Sequence, residues 1–227
     1  MRSHANSSRA GARWFGMMVL YGMMGVGVPT SLVAQDCWMI APGRTKIGFK
    51  VKHLVLFTVE GKFKRIKGCI DSHGPDIDVA GSEAVISVDS IYTGNKNRDE
   101  HLLSEDFFHV EESPEIKFVS RSFEETSPGE YLIRGGLTMR GVTRLISLKG
   151  KAGKQVLMKN DKIRMPLAVT GTLNRFDYGL KWDGVDAAGQ ALVGDEVELD
   201  LQLMLIKNPT TLAHLNRRHA GHTHVGM

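Results

Sequence analysis

The chain has 227 residues, 42% of them hydrophobic and 24% charged, enough to bury a substantial core without metal ions or dense disulfides. Its formal charge of +4 is concentrated at one end: Arg2, Arg9 and Arg13 lie in the first 34 residues, which contain no acid, and removing them leaves +1 for the remainder. That balance, together with the lack of an aromatic-rich basic stripe, excludes a nucleic-acid footprint.

The basic start is followed by a mostly apolar run over 14–28, then by Pro29, Thr30, Ser31 and small residues up to Ala34. This is the layout of a secretory signal peptide over 1–34. The apolar run of 15 residues is short of a bilayer-spanning helix, so the reading is cleavage after Ala34 and a periplasmic or secreted product. Ala34, Gln35 and Asp36 argue against lipidation of Cys37, since acylation sites want a small residue directly before the cysteine. Export puts Cys37 and Cys69, the only cysteines, in an oxidising compartment, where an even count invites a disulfide. A hairpin joining 47–51 to 62–70 brings Cys69 opposite Cys37 only at the extreme of its allowed registers, so the pairing stays open.

From Thr45 onwards the signal is period two, with Ile47, Phe49 and Val51 alternating with Lys46, Gly48, Lys50 and Lys52. "DEVELDLQLMLIK" repeats it near the other end, with Val197, Leu199, Leu201, Leu203 and Leu205 on one face. Between them "EAVISVDSI", "EIKFVSRSF", "EYLIRGGLTM", "VTRLISLKG" and "KIRMPLAVTGTL" read as strands separated by turn chemistry such as Ser127-Pro128-Gly129, Arg140-Gly141 and Asn160-Asp161. In "GGLTMRGVT" Leu137 and Met139 face one way and Gly141 supplies the turn. The expectation is an all-β, eight-stranded antiparallel barrel over 35–207 with a short helical segment around 97–108. Such a barrel is filled by its own side chains or holds one small ligand, and alternation does not distinguish these. Residues 208–227 lose all periodicity and carry His214, His219, His222 and His224, which reads as a disordered His-rich tail without a framed metal site.

"TGNKNRDEHLLSEDFF" crowds Arg98, Asp99 and His101 into four positions ahead of Phe107 and Phe108. Asn97 or Asp99 is the expected cap of a short helix that sets Arg98, His101 and Leu102 on one side. Leu102, Leu103, Phe107 and Phe108 then look like a lid. His53 continues the inward row of Ile47, Phe49 and Val51, either as a hydrogen-bonded core histidine or as a polar contact at a cavity mouth. Arg175 and Asp177 are in phase with Leu167, Val169 and Leu173; either the strand ends before them, or they pair with each other or with Asp99 and Arg98 at a rim. A catalytic reading would need a nucleophile, and Ser90, Ser104 and Ser120 all lack a nucleophile-elbow context.

Taken in order, "FKVKHL", "GKF", "SIYTGNKNRDEHLLSEDFF", "SPEIKFVS", "GGLTMRGVT", "NRFDYG" and "VGDEVEL" resemble the YceI-like family over about three quarters of the chain. The resemblance implies a lipocalin-like barrel, exported in bacteria and often dimeric, that binds a polyisoprenoid or similar amphiphile; with no nucleophile, phosphate loop or metal-spaced histidine pair in the sequence, the expectation is a non-catalytic protein without cofactor or metal. The ligand in that reading is an isoprenoid-type or quinone-like lipid, with the membrane as its source. Carried over by motif, its binding residues would be His53, Arg98, Asp99, His101 and Leu102, and the placement of the residues themselves adds Phe107, Phe108, Arg175 and Asp177. The competing readings are an exported stress or redox-associated protein with a structural barrel and a surface partner, and a hydrolase.

Overall fold

The computed structural model describes residues 36–53, 57–72, 82–182, 184 and 193–207; the expected leader over 1–34 and tail over 208–227 lie outside them. The strands are β1 (Asp36–Ile40), β2 (Lys46–His53), β3 (Phe57–Phe63), β4 (Ile66–Ser72), β5 (Glu83–Ser87) and β6 (Ile91–Tyr92), then β7 (Glu115–Ser127) and β8 (Glu130–Met139). They continue with β9 (Val142–Ala152), β10 (Val156–Leu157), β11 (Ile163–Asn174) and β12 (Val193–Lys207), and one helix, α1 (Lys96–Leu103), lies between β6 and β7.

Three pairs of short strands are each a single stave with a break. β1 and β2, separated by the 3-10 turn Pro42–Arg44, both lie along β12, with Ile40↔Leu205 and Lys46↔Gln202. β3 and β4 face them in turn, and β5 and β6 face β4 and β3. With these merged, eight antiparallel staves each pair with their sequence neighbours, and β12 closes the ring by pairing with both β11 and the first stave. This is the expected eight-stranded barrel; closure removes the exposed edges that an open sheet would leave.

Alternation determines the register. Leu199 sits between Gly171 and Phe49, and Leu201 between Val169 and Ile47, so a slip of one residue would turn the whole apolar row of β12 outward. Glycine is required where the Phe49 ring crosses its neighbour: a Cβ on Gly61, its register partner, would overlap the ring. The β8–β9 turn has both central residues at positive φ, Arg140 at 51° and Gly141 at 72°, the twist-matched form for a two-residue hairpin.

The expected 47–51 to 62–70 hairpin is half right. β2 pairs with β3, but the chain bends at Lys64 and Arg65, whose amides both donate to Ser90 Oγ (3.2 and 3.1 Å), and β4 pairs instead with β1. That shift brings Cys37 diagonally across from Cys69, beside Met39↔Cys69, with Cα atoms 5.8 Å apart, and the two form a disulfide.

The end of the barrel where β1 begins and β12 finishes is tightly packed: Trp38 and Leu205 are both 0% exposed. Lys207 is buried there, its Nζ 3.1 Å from Ser72 Oγ and 5.6 Å from the centre of the Trp38 ring.

Candidate ligand cavity and its mouth

Towards the opposite end the inward rows stop meeting across the barrel. Val197, Leu199, Leu201 and Leu203 point inward on the same face as the fully buried Leu205, yet all four are only half-buried. Their remaining exposure is to an interior cavity of about 220 Å³, whose lining is apolar almost throughout. An apolar cavity of this kind suits an apolar guest, because water there would find too few polar partners.

The mouth is closed by the segment after β6. Asn95 caps α1, its Oδ1 accepting from Arg98 N at 3.1 Å, so the cap precedes the expected Asn97 or Asp99. Asp99 Oδ1 accepts from Thr93 N (2.8 Å) and Thr93 Oγ1 (2.6 Å), while Arg98 Nε donates to Thr93 Oγ1 (2.8 Å) and Nη2 to Thr93 O (2.9 Å). Arg98 and Asp99 thus clasp the turn that launches the helix, and neither lines the cavity. His101 bonds outward to Asp106 (2.9 Å) and packs edge-on against Phe107 and Trp182, with ring centres 5.1 and 5.5 Å away.

Leu102, Phe107 and Phe108 carry out the covering. All three line the cavity, Phe108 meets Phe63 edge-on at 5.9 Å, and Arg140 from the β8–β9 turn donates to the Phe107 carbonyl. His53 ends β2 opposite Val193, half-buried and in phase with the inward row. Its backbone is in the ladders to Val193 and Phe57, and its imidazole makes no hydrogen bond to the side chain or backbone of another described residue.

Arg175 resolves one sequence ambiguity. β11 stops at Asn174, and Arg175–Tyr178 forms a 3-10 turn capped by Asn174 Oδ1 on Phe176 N at 2.9 Å. The Arg175 guanidinium is buried and donates to four carbonyls: Nε to Gly194 (2.9 Å), Nη1 to Leu180 (2.7 Å) and Trp182 (2.8 Å), and Nη2 to Val193 (3.1 Å). It pins the segment after β11 to the start of β12 and touches the cavity from there. Its partners include these carbonyls and the Phe176 ring, 4.2 Å from the guanidinium carbon; among the described residues no rim pairing with Asp177, Asp99 or Arg98 forms. Asp177 is exposed and lies outside the cavity, its backbone carbonyl accepting from Arg144 Nε at 3.1 Å.

The serine candidates for a nucleophile have structural positions. Ser90 Oγ donates to Ser87 O at 2.6 Å and accepts the two bend amides, Ser104 Oγ donates to His101 O at 2.8 Å, and Ser120 is buried, its backbone N–H donating to the Ser82 carbonyl at 2.9 Å. Among the described residues the one His, Cys, Asp and Glu group compact enough for a metal is Cys37, Cys69 and Asp71, where the two sulfurs are bonded to each other.

Sequence reasoning missed two participants. Trp182 lies 5.6 Å from Phe107 and completes the aromatic cover; its signal was only an aromatic residue beyond "NRFDYG". Tyr178 is 1% exposed, its hydroxyl has no hydrogen-bond partner among the described residues, and burial pushes its pKa up to about 12, with the Asp177 carboxylate adding to the rise and Arg144 opposing it.

Comparison with known proteins agrees with this geometry. The sequence profile of the YceI-like domain matches residues 38–205, most of the barrel. The chain belongs to the YceI-like family. It is 28% identical over 158 residues to a UPF0312 protein of Staphylococcus aureus, covering 69% of this chain and 89% of the relative. A UPF0312 protein of Staphylococcus epidermidis is 30% identical over 156 residues, covering 68% and 88%. Among solved structures, Burkholderia cenocepacia BcnA superposes with a TM-score of 0.63 at 17% identity over 73% of this chain and 98% of its own. The Campylobacter jejuni YceI protein gives 0.60 at 24% over 69% and 90%. A polyisoprenoid-binding domain from Saccharophagus degradans gives 0.56 at 14% over 77% and 99%. These likenesses establish the YceI-like barrel as the shared fold.

Proposed function

We propose that this YceI-like protein is an exported, non-catalytic carrier that holds a polyisoprenoid or similar amphiphilic lipid inside its barrel. The observation that carries the reading is the row Val197, Leu199, Leu201 and Leu203, inward-facing but half-buried along an apolar cavity. Each methylene moved from water into such a lining contributes ~0.8 kcal/mol, so a long tail is retained with few polar contacts. The polyisoprenoid-binding neighbour of the same fold supports this ligand class. Leu102, Phe107, Phe108 and Arg175 are the predicted positions that would touch the lipid directly, with His53 and His101 at the mouth and Arg98 and Asp99 bracing it. Export fits the leader-like start, and in that setting the membrane is the lipid source. A homodimer belongs to the same reading and is checked by light scattering.

The test is native mass spectrometry of gently purified protein, followed by organic extraction. A stoichiometric apolar species of polyisoprenoid mass is expected. Protein that emerges empty and takes up no added polyprenol overturns the proposal.

A further inference from the structure

Between β9 and β11 the wall is laddered only from Leu167↔Ala152 to Thr170↔Lys149, although β11 runs on to Asn174 and β9 begins at Val142. Both flanking seams are laddered to their upper ends, β8–β9 as far as Met139↔Val142 and β11–β12 as far as Asn174↔Glu196. The unladdered stretch holds a polar cleft of about 390 Å³ on the outside of the barrel, lined among others by Arg144, Ser147, Thr172, Asp177, Asp195 and Glu196. Ile146 and Leu173 line both this cleft and the interior cavity, so the wall between the two spaces is made of those side chains.

Tyr178 also lines the cleft, and its hydroxyl, buried behind that lining, has no hydrogen-bond partner among the described residues. Buried hydroxyls are normally hydrogen-bonded, so this one is free to donate to a group that enters when the lining moves aside. Charge narrows the chemistry of that group. Asp177, Asp195 and Glu196 enter no ion pair among the described residues, and the one cation of the cleft, Arg144, commits its Nε to the Asp177 carbonyl. Three carboxylates against one guanidinium accept hydrogen bonds from hydroxyls and repel phosphate.

We propose that the β9–β11 seam is a side port for the polar end of the bound lipid, and that its cleft takes an uncharged, hydroxyl-bearing head in preference to a phosphorylated one. This rests on the carrier reading above and specifies where and how the head group is recognised. Swinging Ile146 and Leu173 aside joins the cleft to the cavity, so a tail inside and a head outside are compatible without opening the aromatic lid.

The experiment compares a polyprenyl alcohol with the matching polyprenyl monophosphate on the wild-type protein, on Tyr178→Phe, and on the triple variant Asp177→Asn, Asp195→Asn and Glu196→Gln. Wild type is expected to hold the alcohol about tenfold more tightly than the monophosphate. Tyr178→Phe should weaken alcohol binding by about fivefold to tenfold through loss of one hydrogen bond, with no loss of thermal stability. The triple variant should bring the two lipids to near-equal affinity. A wild-type preference for the monophosphate, or an unchanged ratio in all variants, overturns the port while leaving the carrier reading standing; failure of wild type to bind either lipid overturns both. Independently, an alcohol with a photoreactive head should label peptides containing Arg144 to Ser147 and Asn174 to Tyr178. Label confined to His53 or α1 places the head at the barrel mouth and removes the port.

Discussion

Two leucines on one strand separate a cavity from a packed core. Leu201 and Leu205 both point inward from β12, Leu205 wholly buried and Leu201 half-buried against the cavity. Truncation to alanine removes three carbons, worth about 2.4 kcal/mol if all are buried. For Leu205 the full transfer loss applies, and the new void adds to it, giving about 3–4 kcal/mol. Leu201 already lacks neighbours on its cavity side and has fewer contacts to lose, so Leu201→Ala in lipid-free protein should cost about 1–1.5 kcal/mol. Equilibrium urea denaturation of delipidated wild type, Leu201→Ala and Leu205→Ala measures both, with a shared m-value confirming a common unfolding transition. Losses equal to within about 0.5 kcal/mol would mean that Leu201 is packed like Leu205 and that the interior is filled.

Arg175→Met should destabilise by at least about 3 kcal/mol, because it strips the donors from four carbonyls, and Arg175→Lys should recover little, since an ammonium lacks the planar fork; thermal melts of both variants check this. Leu199→Asp sets a carboxylate in the apolar lining and should abolish lipid retention and lower the melting temperature, while an unchanged melt would show that this face does not point inward. Reducing the Cys37–Cys69 disulfide, which spans a sequence separation of 32, should cost about 2–4 kcal/mol, read as a lower melting temperature in reductant that a Cys37→Ser, Cys69→Ser double variant reproduces without it. The raised pKa of Tyr178 fixes a sign at high pH. Its contribution is intact below the unfolded value near 10 and is lost towards about 12, so Tyr178→Phe should lose less stability than wild type as pH rises through that window, measured by urea titrations at each pH.

The staves were legible because a one-sided buried sheet imposes period two on the sequence, and 47–51 and 197–205 obey it with Met204 as the one apolar residue out of phase. The path of the first two staves was not. "DCWMI" is five residues long and follows a leader-like segment, so β1 gave too little alternation to be read, and the bend at Lys64 and Arg65 is held by a serine 25 residues downstream of Arg65. Without β1 the stretch carrying Cys69 is paired wholly with 47–51, which is why the Cys37–Cys69 pairing stays open in the sequence. The cavity was illegible for a different reason: alternation says which side chains point inward, while their meeting across the barrel depends on its radius and on side-chain size at each level.

The charged residues show how far local spacing misleads. Arg98, Asp99 and His101 are close in sequence and suggested one cooperating site, yet Arg98 and Asp99 both turn back to Thr93 while His101 turns to Asp106. The aromatic side chains of the same segment, Phe107 and Phe108, are the ones that reach the cavity. Arg175, alone in "NRFDYG" and apparently a misplaced charge in an apolar row, lies at the cavity's edge because a strand end supplies free carbonyls in number. A guanidinium that finds four carbonyl acceptors offsets its own desolvation, so an arginine just past the last inward residue of a barrel strand marks where the wall turns into its rim.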